Sequence, residues 1–268
     1  MELLFWIIVF SLIGGLLSVI LASSVLLLSD DTRSNMVPHL VSFAVGTLLG
    51  ASFLGLIPHA LANEYAIDPH AIGLTLLIGL LGFFVLEKLV LWRHCHVEHC
   101  DAHLPDQTGD NLHGHSHHRG QSAGTLILIG DFIHNFVDGI LIAAAFLTDF
   151  HLGIVTALAI AAHEIPQEIG DFVILLHSGF KRKKALFFNV LSSLGTVAGA
   201  ILAYFALANM QHLLPYILII AASSFIYAAV ADLIPGLHSK TKPIESLQQI
   251  ILIAAGTLFI FFTHSTLH

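Results

Sequence analysis

The sequence is poor in charged residues and in cysteine. Asp, Glu, Lys and Arg make up 10% of its 268 residues, whereas a soluble domain carries about 25%. This excludes a soluble globular protein. The net charge of −8, with basic residues clustered only at 181–184, excludes a nucleic-acid partner. The two cysteines, Cys95 and Cys100, are too few for the disulfide framework of a small secreted domain.

Apolar residues make up 56% of the sequence and recur in long stretches. About twenty apolar residues cross a bilayer as a helix, and a β-barrel would instead show alternating runs of about ten residues. We therefore predict an all-α, polytopic membrane protein, with the lipid bilayer as a partner and residues 1–268 forming one transmembrane domain. The eight predicted spans are 3–28, 37–62, 71–92, 123–147, 152–177, 185–209, 213–235 and 246–263.

The ten Lys and Arg residues predict the orientation in the membrane. All of them lie in or beside the loops between spans 1 and 2, 3 and 4, 5 and 6, and 7 and 8. The positive-inside rule then makes these loops cytoplasmic and puts both termini outside. Because no large outer domain accompanies the spans, we expect the inner (plasma) membrane of a prokaryote.

The loop 93–120 is rich in histidine and contains both cysteines. It faces the reducing cytoplasm in this orientation, so the cysteines are expected as thiols. Imidazole and thiolate suit zinc and its neighbours, and the irregular spacing predicts a flexible metal-collecting tract. The alternative is a polar linker that happens to be rich in histidine. The candidate ligands are His94, Cys95, His96, His99, Cys100, His113, His115, His117 and His118, and His103 lies among them.

Acidic and histidine side chains lie inside spans four and five, where no Lys or Arg can pair with them. Ionisable groups in the hydrocarbon are expensive and usually face a functional cavity. A bound cation is the simplest counter-charge. The residues concerned are Asp131, His134, Asp138, His163, Glu164, Glu168 and Asp171, with Asp232 in span seven.

Helical spacing puts ligand-type residues of span four on one face. His134 and Asp138 are four residues apart, and Asn135 shares their face. His163 and His134 both lie about 17 Å from the start of their spans, near the midplane of a core about 30 Å thick. Pro166 predicts a kink in span five. Midplane sites at interrupted helices are typical of transporters.

Span five repeats the pattern, because His163 and Gln167 are four residues apart, as are Glu164 and Glu168. The glycines at 130, 139 and 170 are expected to allow close helix packing. A single histidine in such a place would more often be a core residue or a proton relay, but two helices with matching depth favour a metal site. Nitrogen and oxygen ligands together suit Zn²⁺, Fe²⁺, Mn²⁺, Co²⁺ or Cd²⁺.

The chain resembles the ZIP family of zinc and iron transporters along its whole length. The H-N-x-x-D/E-G motif of the family's fourth helix matches 134–139, and H-E-x-P-H-E of its fifth matches 163–168. Similar segments occur at 56–60, 86–88 and 231–235. The resemblance implies eight helices, with helices four and five between two inverted three-helix repeats. It also implies that the protein imports a divalent metal into the cytoplasm, with zinc as the main candidate. Neither enzymatic activity nor an organic cofactor is expected.

By resemblance, His134, Asp138 and Gln167 would form the primary metal site, with His163 nearby. Asn135 and Glu164 would belong to a neighbouring site, where Asp138 bridges. Gln167 stands where this subgroup usually has histidine, so we expect weaker zinc binding or altered selectivity. Glu168 is a further candidate ligand, and the candidate pathway residues are His59, Asp131, Asp171 and His177.

Two other functions are considered. An intramembrane zinc protease would use H-E-x-x-H, but Gln167 replaces the second histidine. A metal effluxer could use the same site, because nothing in the sequence sets the direction of the driving gradient. A second copy of the chain, forming a homodimer, is the one protein partner that we consider.

Overall fold

The computed structural model describes residues 2–62, 65, 67–97, 116–238 and 242–267. Every regular element in these residues is helical and none is a strand, which confirms the predicted all-α class. The α-helices are α1 (Glu2–Leu12), α2 (Ser18–Val25), α3 (Asp30–Gly50), α4 (Ile57–Leu61), α5 (Pro69–Val97), α6 (Ser116–Thr148), α7 (Phe150–His177), α8 (Arg182–Leu207), α9 (Leu214–Tyr227), α10 (Ile234–Leu237) and α11 (Pro243–Leu267).

Seven helical stretches of the described chain are long and apolar enough to cross a membrane, so the chain is an integral membrane protein. They are Glu2–Val25, Asp31–Leu61, Pro69–Leu89, Ile127–Thr148, Arg182–Leu207, Gln211–Leu237 and Pro243–Thr266. The long helix that is not among them is α7, which has 28 residues and carries His163, Glu164 and Glu168. The predicted eighth span therefore rests on α7 and stays a prediction.

Several helices extend beyond the predicted spans. Helix α3 begins at Asp30, and the Oγ of Ser29 caps it by accepting a hydrogen bond from the N–H of Thr32. Helix α5 continues to Val97 and α6 begins at Ser116, so both ends of the predicted loop 93–120 are helical. Hydropathy marks where a helix leaves an apolar medium, and a helix with polar residues can continue past that point.

Two π-helical turns directly precede prolines. The turn Ala51–Leu56 comes before Pro58, and the turn Ala228–Leu233 comes before Pro235. A proline ring collides with the carbonyl four residues earlier, and a wider π turn moves that carbonyl aside. Pro166 lies inside α7, which is α-helical on both sides of it from Phe150 to His177, and the kink predicted there stays a prediction.

Glycines let α6 and α8 approach closely. A Cβ atom added at Gly139 would lie 1.9 Å from a backbone oxygen of α8, and one at Gly199 would lie 2.0 Å from a backbone oxygen of α6. Only glycine permits backbones this close. The expectation is wrong for Gly130 and Gly170, where an added Cβ would meet no described atom within 4 Å.

The helices around α6 and α7 form the core, and α5 and α11 lie at the periphery. Within Pro69–Leu89 of α5 only Ile72 is buried, and within Pro243–Thr266 of α11 only Gly256 and Ile260 are buried. Leu77, Ile78 and Leu81 of α5 are each more than half exposed. An apolar exposed face of this kind is suited to contact with lipid chains.

Candidate metal site

Two histidines and two carboxylates of α6 and α7 meet in the protein interior. His134 and Asp138 lie one turn apart on α6, and His163 and Glu164 are adjacent on α7. One ligand atom from each lies within 4.8 Å of the other three. Asp138, His163 and Glu164 are buried, and the His134 side chain is 31% exposed. The group is therefore internal, with His134 on its accessible side.

Five of the six distances between the four ligand atoms are close to those of a tetrahedral zinc site. His134 Nε2 lies 3.4 Å from His163 Nε2 and 3.4 Å from Glu164 Oε1. His163 Nε2 lies 3.5 Å from Asp138 Oδ2 and 3.6 Å from Glu164 Oε1. His134 Nε2 and Asp138 Oδ2 are 3.7 Å apart. Zinc bonds of about 2.0–2.2 Å in a tetrahedron separate the ligand atoms by about 3.3–3.6 Å.

Apart from the two histidines of the group, no cationic side chain of the described residues lies beside its carboxylates. Asp138 Oδ2 and both carboxylate oxygens of Glu164 are buried and have no hydrogen-bond partner among the described residues. The sequence contains no Lys or Arg between 120 and 180. Burying carboxylate oxygens without a partner is costly. A cation held between the four side chains removes that cost.

A second group of carboxylates adjoins the first and shares Glu164. One oxygen from each of Asp131, Glu164 and Glu168 lies within 4.8 Å of the other two, and all three residues are buried. Glu168 Oε1 has no hydrogen-bond partner in the described part of the chain. Like charges this close repel strongly, so the second group can also hold a cation.

Helix α8 supplies hydrogen bonds to the second group. Asn189 Nδ2 donates to Glu168 Oε2 at 2.8 Å, and Ser192 Oγ donates to Asp131 Oδ2. These residues and Thr196 are three and four positions apart, so they share one face of α8. The sequence analysis missed this role, although the spacing of three polar residues in an apolar span was a usable signal.

Asn135 orients a carboxylate through hydrogen bonds. Its Nδ2 donates to Asp131 Oδ1 at 2.9 Å, and its Oδ1 accepts from Thr196 Oγ1 at 2.8 Å. The amide is thus hydrogen-bonded through both its nitrogen and its oxygen, and the ligand role that the resemblance implies for Asn135 stays a prediction. Asp131, a predicted pathway residue, lies in the second group itself.

The first group contains His134 and Asp138 of the implied ligand set, and the ligand role of Gln167 stays a prediction. His163 and Glu164 accompany His134 and Asp138, and the two groups share Glu164 rather than Asp138. Gln167 is half-buried, one turn beyond His163. His163 and Gln167 are four residues apart and share one face of α7, so they differ mainly in their level along the helix. Tertiary packing sets the level at which α7 meets α6, and a local motif does not reveal it.

The predicted pathway residues are dispersed. Asp171 is half-buried and His177 is exposed, both toward the end of α7. His59 is half-buried near the end of α4, with its ring against that of His264. The sequence analysis did not single out His264, and no local pattern links residues so distant in the chain.

The candidate ligands of the His-rich loop fall partly within helices. His94, Cys95 and His96 belong to the end of α5, and His117 and His118 to the start of α6. His99, Cys100, His103, His113 and His115 lie outside the described residues.

Comparison with known proteins gives a match over nearly the whole chain. The profile of the family described as ZIP Zinc transporter matches residues 2–264. Zinc transporter ZIP13 of Mus musculus is 33% identical over 259 residues, which cover 87% of this chain and 71% of the mouse protein. Zinc transporter YKE4 of Saccharomyces cerevisiae is 28% identical over 258 residues, which cover 87% of this chain and 70% of the YKE4 protein. The residues that match the family include α6, α7 and every member of the two groups of candidate ligands.

Proposed function

The chain belongs to the ZIP zinc transporter family, and we propose that it imports a divalent transition metal, zinc first, into the cytoplasm through the site of α6 and α7. Family members are transporters, so the chain is not an enzyme. The observation that carries the proposal is the close approach of the ligand atoms of His134, Asp138, His163 and Glu164, with distances of 3.4–3.7 Å between each histidine nitrogen and the other ligand atoms. The absence of a second histidine at Gln167 counts against a protease.

The chemistry of the donors supports zinc as the cargo. Two imidazole nitrogens and two carboxylate oxygens bind Zn²⁺, and also Fe²⁺, Mn²⁺, Co²⁺ and Cd²⁺. A tetrahedral arrangement suits zinc better than metals that require six ligands. The ion itself supplies the positive charge that the site lacks, and no organic cofactor is needed.

The second carboxylate group supplies the next position on an inward path. Glu164 belongs to both groups, so an ion can pass between them without losing every ligand. Glu168 and Asp131 lie one turn further toward the proposed cytoplasmic ends of α7 and α6. Beyond them, Asp171 and exposed His177 continue toward the same end of α7. A rearrangement of the helix blocks would expose the site first outward and then inward.

The orientation is part of the proposal. With α7 as the fifth of eight spans, between inverted three-helix repeats, the two termini lie on one side. The basic run 181–184 stands at the start of α8 and favours the cytoplasm for that end of the bundle. Both termini are then outside, and the His-rich loop collects metal in the cytoplasm. We propose further that the protein lies in the plasma membrane of a prokaryote and that two copies form a homodimer.

Radioactive zinc uptake by intact cells tests this function. Cells that express the protein should accumulate zinc, whereas an effluxer would lower their zinc content. His134→Ala and Glu164→Gln should abolish the gain at equal surface expression. His212→Ala serves as the control, because His212 is exposed in the turn before α9. Wild-type uptake by both site variants would contradict the assignment.

A further inference from the structure

A groove lies between the first halves of α6 and α8. The two helices run parallel, because Gly195 lies against the backbone of Phe132 and Gly199, one turn later, lies against that of Phe136. The groove has a volume of about 490 Å³, which is within the range of about 300–1,000 Å³ of pockets that hold small molecules. It is separate from the candidate metal site, since no member of the two groups of candidate ligands lines it.

The walls of the groove are apolar and exposed. Ile129 and Phe132 of α6 and Leu191 of α8 line it, and all three are exposed. The lining residues extend over 125–132 on α6 and 184–192 on α8, which is about 10 Å along each axis at about 1.5 Å per residue. An exposed apolar groove along two membrane helices is suited to a lipid acyl chain.

A lysine stands at one end of the groove. Lys184 lies in the first turn of α8, and its Nζ lies 5.3 Å from the centroid of the Phe180 ring and 5.7 Å from that of Phe188. Cation–π contacts of this kind hold the charge over the two rings, both of which line the groove. Because the apolar span of α8 begins at Arg182, Lys184 lies at the level of the lipid headgroups.

The positive charge at this end has no carboxylate partner within the described part of the chain. None of the ion pairs there includes Lys184 or another residue of the basic run 181–184, and all four residues are exposed. The start of α8 adds the positive end of its helix dipole. The groove therefore suits a partner with a negative group at the membrane surface and an apolar part in the hydrocarbon.

A second copy of the chain fits this groove less well than a lipid does. A two-fold symmetric dimer presents the same surface from both subunits, so a dimer formed across the groove would bring two basic runs 181–184 together. Like charges this close repel. The charge of the groove favours an anionic occupant.

We propose that the groove binds one anionic phospholipid, whose phosphate contacts Lys184 and whose acyl chain lies along Phe132 and Leu191. Basic residues beside a membrane span attract anionic lipids, and the other three residues of the run add to this attraction without lining the groove. The site depends neither on the transported metal nor on which membrane side is cytoplasmic.

The deep end of the groove reaches a residue that supports the second group. Ser192 lines the groove, and its Oγ donates a hydrogen bond to Asp131 Oδ2. A bound lipid therefore bridges α6 and α8 beside this group. Because it binds only the folded chain, it raises the free energy of unfolding.

Native mass spectrometry of the full chain compares phosphatidylglycerol with phosphatidylcholine of the same acyl chains. The wild type should retain phosphatidylglycerol several-fold more often. Lys184→Gln should remove this preference, whereas Lys183→Gln, which loses the same charge outside the groove, should keep most of it. Equal retention of the two lipids by the wild type, or equal losses in the two lysine variants, would overturn the inference.

A tryptophan in the groove tests the position of the acyl chain. Leu191→Trp fills the groove without a change of charge and should lower the retention of phosphatidylglycerol several-fold. Leu202→Trp is the control, since Leu202 is an exposed residue of α8 outside the groove. Full retention in Leu191→Trp would mean that surface charge alone attracts the lipid, and the inference would be wrong. It would also be wrong if Leu191→Trp separated a wild-type dimer, because a second copy would then occupy the groove.

Thermal unfolding gives an independent measure of the same binding. Phosphatidylglycerol should raise the unfolding midpoint of the wild type and of Lys183→Gln above the values in phosphatidylcholine. It should leave the midpoint of Lys184→Gln unchanged, although this variant should unfold at the wild-type temperature in phosphatidylcholine. An equal rise in Lys184→Gln would contradict a site at this lysine.

Discussion

His163 Nε2 on α7 lies 3.5 Å from Asp138 Oδ2 on α6. Each helix contributes one imidazole and one carboxylate, so neither can form the four-ligand group alone. The rotation of α7 that buries His163 and Glu164 leaves Gln167 half-buried. The proposed zinc site therefore depends on how these two helices pack.

Substitutions one turn apart on α7 should have unequal effects. His163→Ala removes a ligand and should lower uptake at limiting zinc by more than about tenfold. Removing a group that only orients a metal ligand already lowers metal affinity or activity by about tenfold or more. Gln167→Ala should change uptake much less. Initial rates of radioactive zinc uptake, normalised to surface protein, measure both. An equal loss in Gln167→Ala would place Gln167 among the ligands, as the resemblance implies.

Removing one charge from the second group should slow the passage of the ion. Glu168→Gln keeps the size of the side chain and an oxygen that can accept a hydrogen bond from Asn189, but it removes the negative charge that would attract the cation. We expect the maximal uptake rate to fall more than the KM for zinc rises. Glu245→Gln, on α11 and outside both groups, is the control. A change in KM alone would argue against an inward step through Glu168.

Two glycines should differ in their tolerance of a methyl group. Gly199→Ala puts a Cβ atom 2.0 Å from a backbone oxygen of α6, and overpacking of this kind costs on the order of 1–3 kcal/mol. Gly130→Ala meets no described atom within 4 Å and should be neutral. Thermal unfolding midpoints of the purified protein in detergent compare the two variants. Equal midpoints would show that α6 and α8 are not in such close contact.

The His-rich loop should bind metal without being required for transport. Serine substitution of its ligands keeps the chain length and the ends of α5 and α6, which a deletion would cut. The purified variant should bind fewer zinc ions, and zinc uptake should remain measurable. Complete loss of uptake would place the loop on the transport path. The substituted residues are His94, Cys95, His96, His99, Cys100, His113, His115, His117 and His118.

The sequence identifies the helices of the site because ionisable residues are conspicuous in apolar spans. His134 and Asp138 on one face of α6 follow directly from their spacing. The choice between His163 and Gln167 does not, because the two share one face of α7 and it depends on the level at which α7 packs against α6. The same holds for His264, whose contact with His59 arises from the packing of two helices distant in the chain.

Helix ends and close contacts were predicted less well, for related reasons. Composition places the apolar spans, but α5 continues through polar residues to Val97, where hydropathy no longer reports on the backbone. Glycines occur both at helix contacts and in open positions, so Gly199 and Gly130 cannot be told apart by residue type. Only the packed structure shows which of them an opposing backbone approaches.

The position of the bound ion tests the central claim most directly. Crystals of the full chain grown with zinc should be measured at wavelengths on both sides of the zinc absorption edge. We predict an anomalous peak about 2.0–2.2 Å from the Nε2 atoms of His134 and His163 and from carboxylate oxygens of Asp138 and Glu164. Zinc peaks elsewhere between the membrane helices, with none between these four side chains, would contradict the account.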